Sequence, residues 1–558
     1  MKTLYLIVFF FLVINFSYSQ KEAKLFTHAD TLRGSITPER SWWNVLKYDI
    51  TIEPNYTQKT LKGFNKITFK VIQENHSSFM QIDLQKPMQI DSILLNEKSK
   101  LEFFREGNVF HVSTKNQVLN QENTVKIYFH GKPKIAVNPP WNGGWSFIKD
   151  KLGRPWMTVT CQGLGASVWY PNKDHQSDEP DNGASLTMIV PNNLVGVANG
   201  RLKSKTLNNN GTTSYTWEIK NPINNYDIIP YIGKYVNFNE SYPGLKGKLD
   251  LNYWVIDYNL EKAKNYLPKE ARNTLNSFEY WFGPYPFYED GYKLVETKHL
   301  GMEHQSAIAY GNQFKKGYYG SDLSGTGFGL KWDYIVVHES GHEWFGNSIT
   351  SKDIADMYIH ESFTDYSETL FVEYMFGKEA GNQYNFGLRR NIKNDKPIIG
   401  PYNVNTEGSG DMYYKGAAML QTIRHSINKD SLFRNILIGL NQKFYHKTVT
   451  SKQIQNYISE KAGFNYSKVF YQYLNTTQIP ELLLYTDKKN KKMYFKWSNC
   501  TDGFNLPLVL VNKNKQTKIF PNQKWQNITI TKSERNLFST SNIINNYYVK
   551  VRTVKRLK

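Results

Sequence analysis

From about Lys21 to about Trp254 apolar and polar residues alternate, and from about Val255 the spacing lengthens to that of helices. Leu46, Tyr48, Ile50 and Ile52 alternate with Lys47, Asp49, Thr51 and Glu53, which predicts a strand with one buried and one solvated face. The runs GFNKITFKVI, FMQIDLQ, NTVKIYFHG, SLTMIVP, LVGVANG and TSYTWEI follow, separated by turn residues. Their spacing predicts an antiparallel sandwich or saddle of sheets. NLEKAKNYLPKEARNTLNSFEYWFG reads as a helix stopped by Gly283-Pro284, and YKLVETKHLGMEHQSAIAYG as a strand-like segment after it. Further helices are expected in LFRNILIGLNQKFYHK and TVTSKQIQNYISEKAGFNYSKVFYQYLN, until Gln478-Ile479-Pro480 breaks the pattern. Alternation then returns in LLLYTD, KMYFKWS, LPLVLVN, KIFPN, WQNITITK and YYVKVR, a small β-sandwich of seven or so short strands. The expected architecture is multidomain α+β, with a β-domain over 20–254, a mainly helical domain over 255–478 and a β-sandwich over 479–558.

The first residues stand outside this pattern. Met1-Lys2, the apolar run Leu4 to Phe16 and Ser17-Tyr18-Ser19 before Gln20 read as a signal peptide, residues 1–19, cleaved after Ser19. The run is shorter than the roughly 20 residues of a spanning helix, and no cysteine sits near the cleavage site to carry a lipid. The expectation is an exported protein, periplasmic or extracellular, with no stable membrane insertion. Lys and Arg exceed Asp and Glu by 69 − 49 = 20. The excess is mostly lysine dispersed along the chain, and a solvated surface explains it better than a nucleic-acid partner. Two cysteines, Cys161 and Cys500, exclude a disulfide framework and leave their own pairing open.

The chemistry-bearing stretch is His338-Glu339-Ser340-Gly341-His342. Residues four apart on a helix lie one above the other, so both imidazoles can address one metal ion. Glu339 is rotated about 100° from His338 and can reach a water instead of the metal, as a general base. Gly346-Asn347 then signals the end of that helix, and a second helical pattern carries Glu361, the third-ligand candidate. Two imidazoles and a carboxylate with one open position suit catalytic Zn²⁺.

HExxH, eighteen residues and then Glu resembles the signature of the aminopeptidase N family of zinc metallopeptidases, in the gluzincin group. WFGN after the second His, and Phe363, Tyr366 and Glu368 after Glu361, are similar to that family as well, with Ser362 in place of the usual glycine. The order KYDITIEP, GFNKITFKV, LVGVANGRL, IIPYIGKY resembles its amino-terminal β-domain. The resemblance implies a thermolysin-like catalytic domain and a third domain of β-sandwich type; the large helical fourth domain of many members is expected to be missing, since the sequence stops after the third.

Residue by residue, it implies more. Leu300-Gly301-Met302-Glu303-His304 stands where members show G-x-M-E-N, so Gly301 and Met302 would line the substrate edge and Glu303 would pair with a substrate amino group. A free α-amino group is mostly cationic near neutral pH, and a carboxylate one residue from the metal would fix which bond is cut. Gln162 matches a family residue that reaches from the β-domain to the same amino group. Tyr413, in Tyr413-Tyr414-Lys415-Gly416, matches the Y-x-K-G tyrosine that stabilises the oxyanion, with Tyr414 as its neighbour and competitor. Glu368, two turns beyond Glu361, is expected behind a ligand histidine, with Asp365 as the alternative. The reading is a zinc aminopeptidase acting on peptides with a free amino terminus. The rivals are a gluzincin endopeptidase or epoxide hydrolase, a non-catalytic peptide-binding protein on the same fold, and a cationic surface-binding protein. Oligomeric state is not legible.

Overall fold

The computed structural model describes residues 25–115, 117–512 and 515–557; the expected signal peptide lies outside the described residues. The amino-terminal region is built on an eight-stranded sheet. Its strand Trp43–Asn55 pairs antiparallel with Thr60–Val71 and parallel with Ala184–Pro191. Tyr48, Ile50 and Ile52 bury one face as their alternation requires. A bulge between Val45 and Lys47 lets both Val45 and Leu46 face inward. A four-stranded sheet comprises Val195–Val197, Tyr231–Gly233, Pro155–Thr160 and Gly144–Lys149. The turn carrying Gln162 leaves the end of Pro155–Thr160.

The change of sheet comes earlier than the change of sequence period. The hairpin Tyr235–Gly244 and Gly247–Ile256 continues through Tyr292–Glu296 and Ile308–Tyr310 to the edge strand Gly301–Met302, one five-stranded sheet. Alternation continues through this hairpin, so the sequence shows no break until the helix at Leu260 begins. Against the sheet lies Leu260–Phe282, burying Ala263, Leu267, Ala271, Leu275, Phe278 and Phe282 at helical spacing. The helix Tyr358–Phe376 is buried on every side from Tyr358 to Val372 and forms the centre of the helical region. Around it pack Tyr334–Gly341, Lys378–Leu388 and Tyr414–Ile427.

The carboxy-terminal region shows six strands among the described residues, where about seven were expected. Four form one sheet, Gln526–Thr529, Lys492–Ser498, Glu481–Asp487 and Lys550–Thr553, and Leu508–Asn512 pairs with Lys515–Ile519. A short helix, Thr540–Ile544, occupies part of the polar stretch before the last strand. Tyr473 donates to the Tyr548 carbonyl at 2.9 Å and Arg389 to the Ile544 carbonyl at 2.6 Å, tying this region to the helices. Cys161 and Cys500 are both free thiols. Among the described residues no helix is long and apolar enough to cross a membrane.

One close approach accounts for a sequence departure. Ser362 donates to the Met412 carbonyl at 2.6 Å, and a Cβ at Gly416 would overlap Ser362 Oγ and lie 2.5 Å from its Cβ. Gly416 therefore makes room for the serine. Gly416→Ala is expected to lower stability by about 1–3 kcal/mol through overpacking, and adding Ser362→Gly should recover a large part of the loss. Thermal unfolding of the two single variants and the double variant measures the coupling; strict additivity would disprove the steric account.

Candidate metal centre and substrate cleft

The helix Tyr334–Gly341 starts where Asp333 caps it, accepting from the Ile335 and Val336 amides at 3.0 and 3.2 Å. Tyr310 and Asn312 hold the cap carboxylate at 2.8 and 2.9 Å. The helix ends at Gly341, sooner than the Gly346-Asn347 signal suggests, but His342 keeps helical angles of −63° and −24°. The two rings therefore still face one region, their centroids 5.1 Å apart. Gly341 is required there, because a Cβ would lie 2.6 Å from Ser367 Oγ on the central helix.

The outer nitrogens of both histidines are engaged. His338 Nδ1 lies 2.6 Å from Glu368 Oε1, and Tyr384 donates to the other Glu368 oxygen at 2.7 Å. His342 Nδ1 lies 3.0 Å from the Phe345 carbonyl and 3.1 Å from Thr364 Oγ1. Both Nε2 atoms are left facing Glu361, whose Oε2 is 3.8 Å from His338 and 3.4 Å from His342. That oxygen is buried and makes no hydrogen bond. A buried carboxylate oxygen without a hydrogen-bond donor, beside two preset imidazole nitrogens, is the donor set of a zinc site, so the residues fit the ion. Burial alone would raise the Glu361 pKa; His342 and His338 outweigh it and hold the carboxyl well below its usual range.

Glu339 stands beside this cluster. It and Glu303 each place an oxygen within 4.8 Å of the other and of a His342 nitrogen. Burial, with Glu303 and Glu361 nearby, pushes Glu339 up to about 7 against the pull of both histidines. A Cβ at Gly301 would lie 2.7 Å from Glu339 Oε1, so the glycine lets the edge strand pass close to that carboxyl group. Met302 and Leu300 line the same cleft of about 600 Å³.

Glu303 Oε1 accepts from Gln162 Nε2 at 2.5 Å and from the Tyr226 hydroxyl at 3.0 Å, both contributed by the amino-terminal region. Its own backbone carbonyl is held by Asn347 Nδ2 at 2.7 Å. His304, where the family has asparagine, is buried with Nδ1 2.5 Å from the Tyr231 hydroxyl. Tyr413 precedes the helix Tyr414–Ile427, its ring stacked 6.2 Å from His338. Burial and the carboxylates of Glu361, Glu407 and Glu303 hold its phenol well above the ordinary pKa, so it is a protonated donor. Tyr414 also lines the cleft but feels Asp365 and Glu368 instead. Asp365 is buried with neither oxygen hydrogen-bonded, while Glu368 takes the histidine.

The sequence reading missed Tyr226, Thr364, Tyr384 and the Phe345 carbonyl. Tyr226 and Tyr384 carry no local signal among 38 tyrosines. Thr364 had one, since it lies three residues from Glu361 and on the ligand-bearing side of its helix.

Fold and site together bring His338, His342 and Glu361 to one point that could hold a metal ion, with Glu303 and Glu339 beside it in the same cleft. Residues 279–473 match the model of the Peptidase family M1 domain. Human endoplasmic reticulum aminopeptidase 1 is 21% identical over 429 residues, covering 73% of this chain and 44% of the relative. Mouse endoplasmic reticulum aminopeptidase 1 is 25% identical over 223 residues; the match covers 38% of this chain and 24% of that relative. The chain thus spans less than half the length of these curated relatives. The M1 zinc metallopeptidase of Deinococcus radiodurans has the same fold, with a TM-score of 0.65 at 17% identity over 79% of this chain and 95% of that one.

Glu368→Gln is expected to weaken zinc binding by roughly 10–100-fold, because the His338 ring loses its anionic partner. Competition with a chromophoric chelator measures this; an unchanged affinity would remove Glu368 from the site.

Proposed function

We propose that the chain is a zinc-dependent aminopeptidase that removes single residues from the amino termini of peptides. The observation that carries this reading is the joint hold of Gln162 and Tyr226 on Glu303, within one residue's reach of the metal ligands. A carboxylate set in that place binds a substrate ammonium by charge-assisted hydrogen bonds, and internal peptide bonds present no such group.

Zn²⁺ held by His338, His342 and Glu361 would supply Lewis acidity, acidifying water and polarising the scissile carbonyl. Glu339 takes the proton from the attacking water and hands it to the leaving amine. Tyr413 donates its hydroxyl hydrogen to the oxyanion that forms at the carbonyl. Gly301 and Met302 guide the substrate backbone past the base. Glu368 fixes the His338 tautomer. The place of action we propose, outside the inner membrane, rests on segment 1–19 alone.

Hydrolysis of one peptide series with free and acetylated amino termini, with fragments identified by mass, tests the reading. Release of single residues from free ends only is expected; internal cuts or equal cleavage of blocked peptides would replace it with an endopeptidase. Glu339→Ala should retain one zinc and lose at least about 100-fold in kcat, and Tyr413→Phe a comparable factor, as steady-state kinetics on zinc-loaded protein would measure. Full activity in either variant would strike that residue from the mechanism.

A further inference from the structure

The cleft does not end at the amino-group clamp. Beyond Gln162 a second cavity of about 500 Å³ opens towards Lys134, and the two share Trp141, Gln162 and Glu407. If Glu303 and Gln162 hold the α-amino group, the space beside them is where the first side chain of a substrate must go. This step rests on the aminopeptidase reading.

Three segments meet at that space and each is anchored. Trp141 sits at the tip of a hairpin closed by Asn142 N to the Asn138 carbonyl at 2.9 Å and Val137 N to the Asn142 carbonyl at 3.1 Å. The residue is 63% exposed although it borders the cleft. The loop carrying Glu407 is tied to the Gln162 turn by Asn405 Nδ2 donating to the Gly163 carbonyl at 2.9 Å. It is also tied to the helical region by Ser409 N donating to the Pro397 carbonyl at 2.8 Å. The walls are therefore preset by backbone and side-chain hydrogen bonds.

Glu407 is half-buried, and among the described residues its carboxylate forms no side-chain hydrogen bond or ion pair. Burial, with the negative Glu361 and Glu303, holds its pKa up to about 7; Lys396, which pulls it down, forms no ion pair with it. An apolar side chain entering here would strip water from this carboxylate and return nothing. A cation would gain the carboxylate and the face of an indole.

We propose that Glu407 and Trp141 form the pocket for the substrate's first side chain and select a long cationic one, arginine or lysine. The aliphatic stem would lie along Trp141 and the charged head would reach Glu407, while Glu303 takes the α-amino group.

Hydrolysis of arginyl, lysyl, leucyl, phenylalanyl and glutamyl 4-nitroanilides by the zinc-loaded full chain tests this. A kcat/KM for Arg and Lys at least tenfold above Leu and Phe is expected. Glu407→Gln should cut the Arg-to-Leu ratio about tenfold, and Glu407→Lys should bring glutamyl substrate above arginyl. A ratio is read, so a general loss of folded enzyme does not imitate the effect. Equal or better hydrolysis of Leu or Phe by the unaltered protein would overturn the pocket assignment and leave the aminopeptidase reading intact. Hydrolysis of none of them, alongside internal cleavage of peptides, would overturn both.

Discussion

The arrangement depends on one unfavourable burial, the Glu361 carboxylate placed inside the protein with an oxygen that no hydrogen bond satisfies. A lone buried carboxylate of this kind costs several kcal/mol unless a cation or donor meets it. The imidazoles meet it partly, and a divalent ion at the same point would meet it fully. Each neighbour is arranged to keep that point open. Glu368 and Tyr384 turn His338, the Phe345 carbonyl and Thr364 turn His342, and Asp333 with its own two donors fixes the start of the helix that carries both.

The same economy shapes the cleft. Glu303, Glu339 and Glu361 crowd within a few ångströms of His342 and raise or lower one another's proton affinity. Like charges at such distances cannot all ionise without a cation among them. A cation placed among them would lower the cost of ionising all three.

Legibility in the sequence follows from how local each feature is. His338, Glu339 and His342 lie within about one helical turn and Glu361 on the next α-helix, so spacing and helix geometry were enough to bring the four together. The burial alternation of Trp43–Asn55 and the apolar face of Leu260–Phe282 were equally plain, because each strand or helix buries one side. The hairpin Tyr235–Ile256 was not assigned to the sheet it joins, since alternation is the same in either sheet and pairing partners lie far along the chain. In the carboxy-terminal region each of the six alternating runs contains all or part of a strand. Tyr226 and Glu407 reach the site through tertiary placement alone, and nothing in their own neighbourhoods distinguishes them from surface residues.

The departures from the family pattern show which parts of a motif are chemistry and which are packing. Ser362 takes the place of a glycine, and the facing helix answers with Gly416, so the change stays within the van der Waals contact of two helices. Leu300 replaces a glycine at the cleft wall, but its carbonyl still accepts from Gly311 N at 2.7 Å, and the edge strand keeps its course. His304 replaces an asparagine and finds Tyr231 inside the protein. None of the three alters the side chains of His338, His342, Glu361, Glu303 or Gln162. At Gly301 a Cβ would meet both Glu339 Oε1 at 2.7 Å and Ile335 Cγ2 at 2.8 Å, so a side chain there would have to move two neighbours, one of them a member of the acidic cluster.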